Sequence, residues 1–341
     1  MNIALTLGRR LLSAIPTLIG VLVITFLITR ALPGDPAAFF AGPAATPEAV
    51  AEVRTKLGLD RSLFTQFGIY VGDLAQGDLG QALTTGQPVL TEVLQRLPAS
   101  LELTLCGLAF AILIGMPLGI LAALKPGSPV DHCCRLLATI GVSMPSFFLG
   151  LLLIWIFYFL LGWAPAPIGR LDPFVTPPTA ITGFYLADAL LTGNWNAFIA
   201  AAAQLVLPTL TLGLFALAPI ARMTRAAMLE ALASEYVRAA RAAGLAPMRV
   251  LLAYALRNAL LPVVTTLGMV FSYLLGINVL VEKVFAWPGI GSFSFEALLA
   301  GDYNSVQGFI LTMGVLFVLL NATIDLLYGI IDPRVRLAGG K

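Results

Sequence analysis

Charge is what this sequence has least of. Only 11% of its 341 residues are Asp, Glu, Lys or Arg, while 59% are hydrophobic. A soluble protein is about 25% charged, and a chain this poor in polar groups cannot cover its own apolar surface in water. Lipid is the solvent that suits it. A formal net charge of +2 is small and by itself says nothing about nucleic acid; no nucleic-acid partner is expected. Histidine occurs once, as His132, which excludes H-E-x-x-H and most other imidazole-based metal chemistry. The cysteines are Cys106, in an apolar run, and the neighbours Cys133 and Cys134. Adjacent cysteines disfavour a disulfide and match no zinc spacing, so no metal site is expected. The lysines are Lys56, Lys125, Lys283 and Lys341, and only Lys341 follows a glycine. The phosphate-cradling loop G-x-x-x-x-G-K-[ST] is therefore missing.

Acidic groups are as scarce inside the apolar runs. Asp325 is the only carboxylate well inside one, with Glu102 and Arg30 at the edges of others. An aspartyl protease needs two carboxylates sharing protons, and an ion-coupled carrier places ionisable groups along its route. Neither set is present. No catalytic residue and no cofactor in this chain are expected, and energy has to come from a separate ATPase that binds ATP and Mg. An ion-coupled secondary transporter is the remaining alternative class. Asn321 lies one turn from Asp325, and the pair is read as a polar contact to a neighbouring helix.

What is abundant is apolar length. Six runs reach the roughly 20 residues that a spanning helix needs: Leu11–Ala31, Leu103–Leu124, Leu136–Leu161, Ala200–Ile220, Leu260–Val281 and Val306–Ile331. The expected fold is an all-α membrane protein with six transmembrane helices. Pro16, Pro117, Pro145, Pro208 and Pro262 fall in or beside these runs, where membrane helices tolerate breaks if neighbours or water satisfy the freed carbonyls. The first run follows Arg9-Arg10 but is longer than a signal h-region and precedes no A-x-A site, so a retained helix is expected. Arginines crowd the segments around residues 125–135 and 222–257 and the C-terminal tail. The short segments on the other side carry only Arg170 and Lys283, which places both termini in the cytoplasm.

Three outer segments follow. Residues 33–98 carry helical signals of their own: Thr46-Pro47 as an N-terminus with Gly58 past the end. Val50, Val53 and Leu57 mark one face, and Phe64, Phe67, Val71 and Leu74 mark a second helix. This segment reads either as an amphipathic cap or as a docking surface for an extracytoplasmic binding protein. Residues 162–199 hold tryptophans suited to a membrane-interface belt. Residues 282–305 contain Trp287-Pro288-Gly289-Ile290-Gly291, a rigid turn able to fold back toward a pore mouth.

The inner segment 222–258 is far longer than a turn, basic and rich in alanine. Gly244 ends one helix and Pro247 sits where the next starts, which makes a helix–Gly–helix elbow. Its arginines either set topology alone or also meet a partner through charge-assisted contacts.

At this elbow the sequence resembles the EAA signature of ABC importer permeases, read here as Arg238-Ala239-Ala240-Arg241-Ala242-Ala243-Gly244, with arginine in place of the leading glutamate. The later I-x-L-P falls on Tyr254-Ala255-Leu256-Arg257, and Leu261-Pro262 comes only beyond it. The closer resemblance is to the dipeptide/oligopeptide/nickel branch. It is carried by Glu235-Tyr-Val-Arg-Ala-Ala-Arg-Ala-Ala-Gly-Leu245, Arg257-Asn-Ala-Leu-Leu-Pro-Val263, Leu207-Pro-Thr-Leu-Thr-Leu-Gly213, Val284-Phe-Ala-Trp-Pro-Gly-Ile-Gly291 and Asp332-Pro-Arg334. Leu32-Pro-Gly-Asp-Pro36, Leu57-Gly-Leu-Asp60 and Gly77-Asp-Leu-Gly80 agree as well, so the likeness runs through the whole chain.

The resemblance implies a type I ABC importer permease in the bacterial inner membrane, the first of two permease partners. It implies an N-terminal helix and outer segment over 1–98, a permease core over 99–332 that includes the elbow 222–258, and a tail over 333–341. Implied partners are a second, homologous permease, two ATPases and a periplasmic substrate-binding protein. Glu235, Tyr236, Arg238, Ala239, Ala240, Arg241 and Gly244 would meet an ATPase, and Ser272, Asn278 and Glu282 would line the substrate path. Peptides are the expected cargo; relatives carry glutathione, opines or chelated nickel.

Overall fold

The computed structural model describes residues 3–31, 36–42, 44–56 and 58–331. The described part is helical, with one isolated bridge between Gln81 and Pro88. The helices are α1 (Ile3–Ala31), α2 (Pro36–Ala41), α3 (Pro47–Lys56), α4 (Leu63–Ala75), α5 (Val89–Leu124), α6 (Pro129–Ser143) and α7 (Ser146–Leu153). They continue as α8 (Tyr185–Leu191), α9 (Trp195–Ala233), α10 (Glu235–Ala242), α11 (Pro247–Arg249), α12 (Arg257–Val284), α13 (Ile290–Leu299) and α14 (Tyr303–Ile331). Wider π-type turns prolong α7 through Ile154–Leu160 and join α11 to α12 through Val250–Leu256.

Among the described residues four helical stretches are long and apolar enough to cross a bilayer: Val89–Leu124, Trp195–Ala233, Pro247–Val284 and Tyr303–Ile324. Ile15–Ile28 and Ser146–Leu160 are shorter apolar helices. The run expected as one helix over Leu136–Leu161 is broken. Pro145 has no N–H and pushes the residue before it out of the helical region, and Met144 is accordingly extended, at φ −109° and ψ 133°. By contrast Pro117, Pro208 and Pro262 lie inside continuous helices.

Helix α9 is the centre of the bundle. Between residues 200 and 221 only Val206 is exposed, and the core around Leu205, Leu212, Leu217 and Ile220 joins it to α5 and α12. Close approach along α5 depends on absent side chains. A Cβ at Gly119 would sit 2.6 Å from the Ala221 carbonyl oxygen and 3.0 Å from the Arg225 nitrogen, and one at Gly107 would meet the Leu212 side chain at 2.8 Å. Helix α1 lies apart from this core and packs along α14.

The segment after α1 forms helices where Thr46-Pro47 signals one: Ala49 N–H donates to Thr46 Oγ1 at 3.3 Å, and Gly58 takes φ +64°. Leu57 and residues 32–35 lie outside the described residues. In α4 the packed face overlaps the expected one only in part. Phe67 and Tyr70 meet Phe26 of α1, with ring centroids 5.2 and 5.9 Å away, while Phe64 is 91% exposed. Arg30 joins this contact by donating to Gln66 at 3.2 Å. Apolar periodicity marks a stripe, and the partner ring decides which edge of it is buried.

Candidate functional site

The elbow forms where the glycine was read, but over a shorter length. Helix α9 does not stop near Arg222; it runs on to Ala233, because nothing between Arg222 and Ala233 breaks a helix. The chain then turns at Ser234, whose φ −70° and ψ 153° are extended, and enters α10. Gly244 ends α10 at φ +74°, with Gly244 N–H on Arg241 O at 3.0 Å and Leu245 N–H on Ala240 O at 3.3 Å. This pair of bonds closes a helix through a left-handed residue, which glycine adopts at little cost. Pro247 opens α11 as its first residue.

The elbow does not project freely. Val237 and Ala240, three apart on α10, are buried with Val250, Ala255 and Ala259 against Ala123 of α5 and Ala227, Met228 and Ala231 of α9. Ala240 therefore belongs to the inward face, a correction to its expected place beside Ala239. Glu235, Tyr236, Arg238, Ala239, Arg241 and Gly244 stay exposed. Met248 and Leu252, at 65% and 54% exposure, extend the apolar part of the same outer surface. Glu235 and Arg238 pair with each other at 2.8 Å across one turn. The surface thus offers a tyrosine, a methionine and a leucine among arginines, and it rests on a packed apolar base.

An ion pair above the elbow ties α6 to α9. Asp131, with a side chain 2% exposed, accepts from Arg225 Nε at 2.5 Å and Nη2 at 3.0 Å and from Gly127 N–H at 2.9 Å. The Arg225 hydrogen bonds, then the Gly127 amide, hold its carboxyl down at about 2. Periodicity had no means of finding this pair, since its partners are 94 residues apart.

The residues expected along the substrate path separate. Glu282 and Asn278 are buried at the end of α12 remote from the elbow. Glu282 accepts from Ser100 Oγ, from Asn278 Nδ2 at 2.9 Å and from Ser292 N–H at 2.7 Å, and Ile290 N–H reaches Ser100 Oγ at 2.9 Å. A Cβ on Gly289 would collide with this carboxylate and with Ser100. The cluster pins the Trp287–Gly291 turn onto α5. Ser272 stands elsewhere on α12 and bonds the Gly268 carbonyl at 3.1 Å. Glu102 likewise holds a loop. It pairs with Arg170 at 2.7 Å and accepts from Leu186 N–H at 2.8 Å, and Arg170 lies 3.5 Å above the Tyr185 ring. Among the described residues the Asn321 amide donates to Phe317 O of its own helix, at 2.8 Å. The Asp325 side chain, Asp332, Pro333 and Arg334 lie outside the described residues.

The remaining question is which proteins carry such an elbow on such a bundle. The family model described as "binding-protein-dependent transport system inner membrane component" matches residues 115–337, and its N-terminal companion matches residues 4–104. The chain belongs to this family. It is an integral membrane permease. It is 48% identical over 322 residues to the probable D,D-dipeptide transport system permease protein DdpB of Escherichia coli (strain K12), covering 94% of each chain. It is 46% identical over 333 residues to the di/tripeptide transport system permease protein DppB of Pseudomonas aeruginosa, covering 97% of this chain and 98% of that one. It is 39% identical over 328 residues to the glutathione transport system permease protein GsiC of Escherichia coli, covering 96% and 97%.

Proposed function

We propose that this permease is the membrane subunit of an ATP-driven importer of short peptides, working beside a second, homologous permease. Similarity over nearly the full length to permeases named for dipeptides and di/tripeptides carries the reading of the cargo. Glutathione, itself a tripeptide in substance, is the cargo named for a more distant relative and is the second reading. Six spans are proposed, within α1, α5, the broken run 136–161, α9, α12 and α14, and Asp131 lies outside the third. The elbow and both termini lie in the cytoplasm, and the long segment after α1 lies in the periplasm.

In this arrangement two ATPase subunits, which bind ATP and Mg, grip α10 of each permease. The exposed Tyr236, Arg238, Ala239 and Arg241 surface meets a groove of the ATPase, with Gly244 setting its angle. A periplasmic binding protein delivers the peptide on the opposite side. Because Val237 and Ala240 seat α10 on α5 and α9, a displacement of the elbow moves those helices with it. ATP-driven closure of the ATPases then biases a two-state rocking of the bundle.

The test is reconstitution. Proteoliposomes holding both permeases and both ATPases, supplied with the binding protein, should accumulate labelled dipeptide only with ATP. The permease alone should accumulate none. Accumulation by this chain alone under a proton gradient would replace the proposal with ion-coupled transport.

A further inference from the structure

Among the described residues α12 has one exposed side, bridged at Thr265 by a hydrogen bond to Tyr328 of α14. Thr265, Met269, Tyr273, Gly276 and Leu280 are exposed, spaced three or four apart, while Val270, Leu274, Asn278 and Val281 are buried behind them. Exposed stripes on membrane helices are ordinarily lipid-facing, and α5 has one: Leu105, Ala109, Leu113, Pro117 and Leu121, with no polar side chain in it. The α12 stripe differs in composition and in one atom.

That atom is the phenol oxygen of Tyr273. Elsewhere on the exposed surfaces of the spans, short polar side chains reach a partner: Thr265, Asn321 and Thr323 each donate to the carbonyl four residues earlier, and Thr265 also bonds Tyr328 of α14. The exposed aromatics Trp155 and Tyr158 lie within five residues of Leu160, at the end of their own helical run. A tyrosine is too long to turn back onto its own helix, and Tyr273 Oη has no hydrogen-bond partner among the described residues. The side chain is 68% exposed, and Val284 at the end of α12 is eleven residues away. That is about 16 Å along the axis, too deep for the interfacial belt where tyrosines anchor in headgroups. Facing lipid at that depth, the hydroxyl would stay unsatisfied. Its ring lies near-parallel to that of Phe215 of α9, with centroids 6.5 Å apart and planes 25° apart. One turn along, a Cβ at Gly276 would meet nothing within 4 Å, which leaves a recess beside the ring.

We infer that the Thr265–Met269–Tyr273–Gly276–Leu280 side of α12 lines the route of the transported peptide, with Tyr273 as a residue that determines specificity. This rests on the importer reading above. It moves the path to the other side of the helix from Asn278 and Glu282, which are spent on holding the Trp287–Gly291 turn. The phenol exchanges hydrogen bonds with the amides of the peptide backbone, and Met269 and the Gly276 recess admit apolar side chains of varied size.

The experiment uses the assembled transporter with Cys106, Cys133 and Cys134 replaced by serine and uptake retained. Tyr273→Cys and Gly276→Cys should react with a membrane-impermeant, water-soluble thiol reagent during ATP turnover, and saturating dipeptide should slow both reactions. Leu113→Cys, on the α5 stripe, should not react. In the native-cysteine protein Tyr273→Phe should raise the KM for dipeptide uptake by about three- to tenfold, the size of one lost uncharged hydrogen bond. Unreactive thiols at 273 and 276 would overturn the inference in favour of lipid. Thiols that crosslink to the second permease, with no protection by dipeptide, would overturn it in favour of a subunit seam. Failure of the intact complex to take up any peptide would instead defeat the importer reading, while reagent access at 273 would still decide whether the stripe faces water.

Discussion

The indole N–H of Trp287 donates to the carbonyl oxygen of Ala99 at 3.0 Å, across 188 residues of sequence. The bond joins the turn after α12 to the start of the apolar part of α5, and the indole is fully buried at the contact. With Glu282, Ser100 and the Ile290 amide it makes the end of the bundle remote from the elbow a bonded block. At the elbow end the partly buried Asp131–Arg225 ion pair sits beside a base made largely of alanines and valines. One end is held by directional bonds and the other largely by small apolar contacts.

Ser100 serves one acceptor and one donor at once, giving its hydroxyl to Glu282 and receiving the Ile290 amide. Ser100→Ala should leave a buried carboxylate and a buried amide each short of a partner, at a cost of about 1–3 kcal/mol. Thermal unfolding in detergent should fall accordingly, and Ser100→Thr should recover part of the loss. An unchanged melting temperature for Ser100→Ala would mean the cluster is held by packing alone.

The α5–α9 seam predicts a contrast between two glycines. Gly119→Ala drives a methyl against the Ala221 carbonyl and the Arg225 nitrogen, which are backbone atoms that cannot step aside. It should destabilise by about 1–3 kcal/mol. Gly72→Ala in α4 meets nothing within 4 Å and should be neutral or stabilising by up to about 1 kcal/mol. The two melts, compared in one detergent, check the difference.

Asp131 predicts a pH dependence with a definite sign. Its carboxyl is held at about 2, below the ordinary aspartate value of about 3.9. A depressed value in the folded state adds stability that is complete above the unfolded pKa and is lost as pH falls through the folded one. Wild-type protein should therefore lose stability between roughly pH 4 and pH 2 through this group. Asp131→Asn should begin less stable at pH 7 and show a shallower decline in that window. Parallel declines would place the acid sensitivity elsewhere.

Long apolar runs made most of the spans legible from sequence, since a membrane imposes length and hydropathy together. The elbow turn was legible too, because Gly244 and Pro247 act locally through their own φ values. Features that depend on a distant partner were not. Periodicity could not tell that Ala240 faces α9 while Ala239 faces out, nor that Phe67 rather than Phe64 finds an aromatic partner on α1. Nor does sequence alone show that Ser100 and Ser292, remote from Glu282 along the chain or beyond its helix, both donate to its carboxylate. The apolar run ends at Ile220 while α9 continues to Ala233, because hydropathy follows the solvent and a helix can continue past the end of an apolar run.

Orientation predicts labelling. Cysteines placed at Ala166 and Ala300 should react with an impermeant thiol reagent added to cells with a permeabilised outer membrane. One at Ala246, in the elbow, should react only after lysis. Labelling of the Ala246 position in intact cells would invert the topology.

Gly244→Val tests the proposed coupling role of the elbow most directly. At φ +74° with open space around it, the position penalises a side chain through backbone strain alone, by about 1–2 kcal/mol, with no clash in the apolar base. The measurement is the amount of ATPase subunit retained when the complex is purified through a tag on this permease, read beside peptide uptake. The account predicts normal membrane insertion, ATPase largely lost and uptake abolished, with Gly244→Asn intermediate because asparagine tolerates the left-handed region. Full ATPase retention and full uptake in Gly244→Val would contradict it and reduce the elbow to a basic loop.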